Sequence, residues 1–376
     1  MVKQWPHTWQ PPMRKPWRVE KYPPRLFQGS EWDEASRDIW DKYSRNKQKQ
    51  TSYEKKVNIC RMLSSVLKPV HPGYMFLVTG STLNGFGTER SDLDICLLVD
   101  DSNATSRDEA LEHLKRIKQT LENDPSMTKR AELILAKVPI LKFRDGRWDV
   151  EVDINCNSNV AIRNTHLLYC YSICDWRVRP LVTIVKLWAA RHRINDAKNM
   201  TISSYSLVLM VIHFLQCGVS PPVLPCLGEL YPDMFSWQRH VLEIDVHQPP
   251  PEYFQSMNNQ PLGKLLLDFF QYYLQFDYSR FALSVRLGTK IPIEECQLAQ
   301  EVNNGVRQKP LLCIEEPFER TNTAYAVHNH EVFGRITAVF RNSYSELKKT
   351  KHLSSIFKRV PQLTFSRYQE NEICTF

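Results

Sequence analysis

The sequence predicts an α+β chain in which a small sheet-bearing unit precedes a larger, mainly helical one, leaving a cleft at their junction. Strand-like apolar runs cluster at 74–79, 93–99, 137–144 and 148–154. Long apolar stretches at helical spacing then take over at 161–175, 177–193, 203–216, 262–276 and 329–348. At 376 residues the chain also suits two units, on a prior of roughly 150 residues each.

Taken in order, residues 1–30 are rich in Pro and Trp and read as an arm without its own core. Helical segments are predicted at about 32–48 and 51–67, the second carrying Val57, Cys60, Leu63, Val66 and Leu67 near helical spacing. Pro69 and the Pro72-Gly73 pair end it. The run Tyr74–Thr79 reads as a strand broken by Gly80, and a loop with Asn84, Gly85 and Gly87 leads to the strand Leu93–Val99. Residues 107–122 follow as a charged-faced helix. The next two strands form a hairpin turned at Asp145-Gly146. In the last helix Val332, Phe333, Ile336, Val339, Phe340 and Leu347 share a face. The boundaries drawn from this pattern are an arm at 1–30, a helix at 31–54 packing on the helical unit, a sheet unit at 55–158, a helical unit at 159–360 and a tail at 361–376.

Composition narrows the function classes. Subtracting 41 acids from 49 bases leaves +8, a surplus that suits a polyanionic partner such as nucleic acid and says nothing about fold. Nowhere do about 18 apolar residues run together, so no membrane span is expected. The Met1 end lacks the apolar core of a signal peptide. None of the ten cysteines forms a pair at zinc-knuckle spacing, and they are expected to be reduced, in a soluble intracellular chain.

Chemistry concentrates in carboxylates. Asp92 and Asp94 stand two apart where a strand begins, so both side chains share a face. Two such groups repel, and burying them is costly unless a cation lies between them. Just upstream, Gly80-Ser81 offers a backbone that a phosphate can approach and a hydroxyl to meet it. Asp149, Glu151 and Asp153 alternate with Trp148, Val150, Val152 and Ile154, and at least one of the three acids can reach the first pair. Hard divalent cations prefer carboxylate and phosphate oxygens. A pair of them about 4 Å apart can activate a hydroxyl and stabilise a leaving pyrophosphate. An isolated Asp-x-Asp is weak evidence, since sugar transferases also use one. Gly80-Ser81, a loop, and then Asp92-x-Asp94 opening an apolar strand is far more specific.

From Gly80 to Asp94 the sequence resembles the DNA polymerase β superfamily of nucleotidyltransferases, and within it the non-canonical poly(A) polymerases and terminal uridylyltransferases. The blocks 178–182, 186–188, 202–210 and 313–318 continue the resemblance in order from about 55 to 350, nearest to the cytoplasmic poly(A) polymerases of germ-line development. It implies a polymerase-β-like sheet domain and a poly(A) polymerase-associated helical domain. Asp92, Asp94 and Asp153 are implied to hold Mg2+, with Mn2+ as an alternative, and Asp153 to help activate the primer hydroxyl. Asp149 and Glu151 are left as structural strand acids. Gly80 and Ser81 would face the triphosphate of ATP, Asn164 and Thr165 the ribose, and Lys186 the phosphates. Tyr205, after Ser204, would stack on the base, an interaction of about 1–3 kcal/mol. Asn322 completes the implied nucleotide site.

The implied reaction is template-independent addition of AMP to an RNA 3′ end. The alternatives are a uridylyltransferase or mixed-base tailing enzyme, and a silent RNA-binding scaffold. Relatives that add uridine carry a histidine before the asparagine that follows Glu316-Pro317-Phe318. Thr321 stands there instead, which favours ATP, and His328 and His330 fall near the start of the next helix. Where some relatives have a second basic residue one turn after the phosphate lysine, this chain has Ala190, followed by Arg191. Lys142, Arg144, Arg147, Arg177 and Arg179 are the candidate RNA phosphate contacts. No RNA-binding module is recognisable, so an RNA-binding partner protein is expected to recruit the chain, in the cytoplasm with the nucleus left open, and away from membrane or DNA.

Overall fold

The computed structural model describes residues 22–99, 106–123, 127–136, 138–252, 254–298 and 310–358. The chain enters through Leu26, fully buried in the helical unit's core, so the end of the predicted coreless arm docks; residues 1–21 and the tail 361–376 lie outside the described residues. Helix α1 (Asp33–Asn46) sets Ala35 and Ile39 into that same core. Helix α2 (Gln50–Leu67) belongs to the other core, with Tyr53, Val57, Cys60 and Leu63 against the sheet. A boundary at 54/55 would therefore cut a continuous helix whose first turns already pack on the sheet. The physical break comes before Gln50.

Strand β1 (Met75–Thr79), the single turn α3 (Ser81–Asn84), β2 (Leu93–Leu98), α4 (Arg107–Glu122), β3 (Thr128–Ile134), β4 (Ile140–Asp145) and β5 (Glu151–Cys156) complete the sheet unit. Helix α4 opens with a reciprocal capping box between Ser106 and Glu109. The strand order is β1-β2-β5-β4-β3, with β2 and β5 parallel and the other pairs antiparallel. Period two sorts the residues of β2. Leu93, Ile95 and Leu97 face α2 and α4, whereas Cys96 and Leu98 meet Leu77, Ile162 and Val241 on the opposite side. Asp94 falls on this second side. The predicted hairpin is present; β3 was not foreseen, because its polar, bulged edge sequence has no clean alternation.

Helices α5 (Asn159–Cys174), α6 (Val178–Arg191), α7 (Ser204–His213), the turn α8 (Leu227–Leu230), α9 (Leu262–Gln275), the short α10 (Ile293–Leu298) and α11 (His330–Thr350) form the helical unit. Trp188, Leu209, Phe269, Phe270 and Phe340 lie at its centre. Its helices start and stop within a few residues of the predicted segments, α7 giving way to a π-helical turn at Phe214–Gly218. Three short strands, β6 (Phe281–Ser284), β7 (Thr289–Pro292) and β8 (Ile314–Glu315), add a second sheet that the sequence did not announce. Strands of two to four residues are too short to show a period. Among the described residues seven cysteines are free thiols, as expected, and Cys313 is disulfide-bonded, which spacing in the sequence did not reveal. Among the described residues no helix is long and apolar enough to cross a membrane.

Candidate active site

Strand register lays the acids out in a row. Thr79 pairs with Asp94, Asp94 with Asp153, Asp153 with Lys142, and Lys142 with Glu132, across all five strands of the sheet. Directly opposed residues share a face with Cβ atoms about 5 Å apart. Asp92, two residues before Asp94, extends the cluster toward Glu151. The ammonium of Lys142 lies 2.9 Å from Glu151, 3.3 Å from Asp153 and 3.7 Å from Asp92. The guanidinium of Arg144 takes the far side of Glu151 at 2.7 Å and reaches Asp149 at 3.2 Å. Asp149 stands in the turn before β5 with φ 59°, so it is not part of the alternating acidic face that the sequence suggested. Glu151 is on that face, fixed between two bases.

The electrostatics reflect crowding of like charge. Burial, then the charges of Asp153 and Asp92, push the Asp94 carboxyl up to about 7, against relief from Lys56 and the Ser81 N–H. Burial raises Asp92 as well, with Lys142 opposing. Burial disfavours the Lys142 ammonium, but Glu151, Asp153 and Asp92 outweigh it and hold its pKa up. Lys56 is a site residue that the sequence did not reveal, because it sits among the buried positions of α2. It is fully buried, donates to Gln48 Oε1 at 2.9 Å, and is lowered to about 8 by desolvation. Only an unexpected lysine within an apolar helix face hinted at it.

The donor set suits a hard divalent cation. Oδ1 of Asp153 is buried and finds no hydrogen-bond donor among the described residues, its ion pair with Lys142 aside. A Cβ on Gly80, whose φ is 67°, would run into the Asp94 carboxylate and have to push it aside, so glycine leaves that oxygen clear. As the side chains stand, no three His, Cys, Asp or Glu among the described residues are gathered to hold an ion. Asp94 and Asp153 are paired across β2 and β5, and the Lys142 ammonium sits among Asp92, Glu151 and Asp153.

The helical unit closes the other side. Thr165 on α5 accepts the Gly80 N–H at 2.8 Å and donates to Ala161 O at 2.6 Å. Gly85 packs so tightly on Ser172 that a Cβ there would sit 2.6 Å from its Oγ, and Phe86 enters the helical core. Lys186 on α6 donates to Phe86 O at 3.3 Å; burial lowers its pKa and Asp94 opposes the shift. Asn164 Nδ2 donates to Glu316 Oε1 at 2.8 Å, and the Tyr205 hydroxyl donates to the same oxygen at 3.2 Å. Oε2 of Glu316 accepts the N–H groups of Phe318 and Glu319. Burial raises the Glu316 carboxyl and the Tyr205 phenol alike. Asn164 Oδ1 is buried without a partner among the described residues, an acceptor available to a ligand hydroxyl.

Models of two known families match the chain: "Poly(A) RNA polymerase, mitochondrial-like, central palm domain" over residues 35–173, and "Cid1 family poly A polymerase" over 261–322. Poly(A) RNA polymerase gld-2 homolog A of Drosophila melanogaster is 47% identical over 332 residues, covering 88% of this chain and 24% of that protein. Poly(A) RNA polymerase GLD2 of Homo sapiens is 42% identical over 322 residues, covering 82% and 63%. The solved structure of the GLD-2/RNP-8 complex superposes with a TM-score of 0.77 at 39% identity, covering 87% of this chain and 98% of that one. The chain belongs to the GLD-2 family of non-canonical poly(A) polymerases. It spans 24%, 26% and 34% of the length of three curated GLD-2 relatives from fly and worm. Crystal structures of mtPAP superpose with a TM-score of 0.72 at 22% identity, a likeness of fold.

Several residues that the sequence assigned to ligand contacts have partners within the chain. Thr165 has no proton to give a ribose, because its hydroxyl donates to Ala161 while accepting from Gly80, and one lone pair is left to it. Asn322 is a buried clamp, its Nδ2 on Leu312 O and its Oδ1 taking the N–H groups of Ile314 and Ala324. Ser204 is exposed and its hydroxyl donates to Asn195 Oδ1 at 3.1 Å, which leaves its oxygen able to accept. Arg177 is buried on Asp175, Asn258 and Gln260, and Arg179 on Ser172, so neither faces a phosphate. Arg147 is exposed beside Trp148 and keeps that option. Arg191 donates to Phe357 O and does not replace the basic residue absent at Ala190. His330 opens α11, as expected. Gly80, Ser81, Asp92, Asp94 and Asp153 share the sheet side of the junction, Lys186 faces them from α6, and Asn164 and Tyr205 meet at Glu316.

Proposed function

We propose that the chain is a template-independent RNA 3′-terminal adenylyltransferase that transfers AMP from ATP and releases pyrophosphate. The observation that carries this reading is the convergence of Asp92, Asp94 and Asp153 from the parallel strands β2 and β5 on one space, beside Gly80. On this reading those carboxylates hold divalent cations, Mg2+ or Mn2+. When bound, such ions neutralise triphosphate charge and polarise the primer hydroxyl.

The remaining work falls to the chain. Ser81 and the backbone at Gly80 meet the triphosphate, with Lys186 supplying a point charge from α6. Asn164 Oδ1 accepts from a ribose hydroxyl while Glu316 holds its amide, and Tyr205 stacks on the base. Asp153 receives the proton of the 3′ hydroxyl. The freed oxygen attacks the α-phosphorus, and the α–β bridging bond breaks with its electron pair leaving on pyrophosphate. Positioning and charge neutralisation carry most of the rate enhancement in such transfers.

Thr321 before Asn322 supports ATP over UTP. Solved relatives named as the GLD-2/RNP-8 complex and the GLD-2 - GLD-3 complex support recruitment by a partner protein that binds RNA. We assign catalysis to the sheet unit ending at residue 158, nucleotide closure to the helical unit from 159, and a cytoplasmic site of action. Extension of a labelled RNA primer with ATP, UTP, GTP or CTP and magnesium tests the reading. ATP-dependent lengthening that is lost in Asp94→Ala is the expected result. Equal extension by that variant, or no extension by any nucleotide, overturns it.

A further inference from the structure

We propose that Lys142 is a built-in counter-ion of the catalytic carboxylates, which divalent cations must displace, and that it thereby sets how much metal the enzyme needs. The inference rests on the carboxylate reading above and adds a residue to it. One ammonium lies within 4.0 Å of acids from both limbs of the cluster, Asp92 on one and Glu151 and Asp153 on the other. A monovalent charge held by three acids is the arrangement that like-charge repulsion demands before any ion arrives.

The surroundings give the displaced side chain somewhere to go. Glu132 is exposed and lies opposite Lys142 on β3, on the flank away from Asp153. Turning toward it carries the ammonium out of the cluster along the same row. Glu151 need not follow, because Arg144 already holds it at 2.7 Å. The net exchange is one positive charge leaving and divalent charge entering, so the affinity for the ion carries a penalty that removal of Lys142 would lift.

The test is Mn2+ binding, followed by electron paramagnetic resonance on the protein alone, in the parent, Lys142→Gln, Lys142→Arg and Asp153→Asn. Lys142→Gln is expected to bind Mn2+ on the order of ten-fold more tightly, as deletion of a competing charge at this range implies. Its melting temperature in chelator should fall, and Mn2+ should restore it. Lys142→Arg keeps the charge, reports that the strand still folds, and should bind within about two-fold of the parent. A merely structural lysine predicts weaker binding in the glutamine variant. If Lys142→Gln binds no more tightly than the parent while Asp153→Asn abolishes binding, the counter-ion role is wrong. If the parent binds no Mn2+, or Asp153→Asn does not weaken it, the carboxylate site itself is wrong.

Discussion

Asn164 Nδ2 and Glu316 Oε1 lie 2.8 Å apart although 152 positions separate them in sequence. Glu316 also receives Tyr205, so one buried carboxylate aligns two residues expected to contact ATP, from α5 and α7. Glu316→Gln sets an NH2 group either against the N–H groups of Phe318 and Glu319 or against Asn164 and the Tyr205 hydroxyl. Charge-assisted hydrogen bonds contribute roughly 1.5–3 kcal/mol each. The KM for ATP is expected to rise about ten-fold or more, with a smaller change in kcat, in primer extension at varied ATP. An unchanged KM would show that Asn164 and Tyr205 do not depend on Glu316.

Gly80→Ala tests the approach of backbone to metal ligand. The added Cβ has no room beside Asp94, and a backbone with φ 67° and ψ −147°, a conformation close to glycine-only, costs an alanine roughly 1–3 kcal/mol. Adenylyl transfer should fall at least about 100-fold while circular dichroism still reports the native helices. Activity within a few-fold of the parent would mean that Asp94 can turn away without loss.

Thr165→Val keeps volume and removes the hydroxyl that accepts from Gly80. A buried N–H left without a partner costs about 1–3 kcal/mol. Urea unfolding should show a loss in that range, and kcat should drop several-fold with the KM for ATP little changed, since Thr165 acts through the loop. A rise confined to KM would instead favour direct ribose contact.

His213 makes stability depend on pH. It is fully buried, and desolvation lowers its pKa to about 4, below the ordinary 6.5. The unfolded chain takes up the proton first as pH falls, so stability is complete above 6.5 and declines toward 4. Between pH 6.5 and 5 this group alone removes about 1.5 kcal/mol. Urea unfolding of the parent and His213→Gln at both values checks it. The variant's pH dependence should be flatter by that amount, and parallel curves would refute the assignment.

Much of the fold was legible in one dimension because it depends on local period. Helix α4 and the hairpin at Asp145-Gly146 announce themselves in spacing and turn chemistry, and Asp92-x-Asp94 declares a shared face through the two-residue repeat of a strand. The edge strand β3 and the three short strands of the second sheet were not legible, since a few residues of polar or mixed character carry no period. Lys56 and Glu316 were hidden for another reason. Their importance lies in what surrounds them, and burial is a property of the folded chain.

The sequence by itself determined which acids could act, the order of elements, and the glycine that must precede them, because each follows from bond geometry within a few residues. Tertiary structure alone decided which candidates serve as clamps and which face the reaction. Hydrogen-bond capacity is finite, so Asn322 is taken up by neighbours and the Thr165 proton by Ala161, whereas Asn164 retains an unpartnered acceptor. Register alone seated Lys142 among the carboxylates, where charge, unlike periodicity, acts across strands and has no memory of sequence distance.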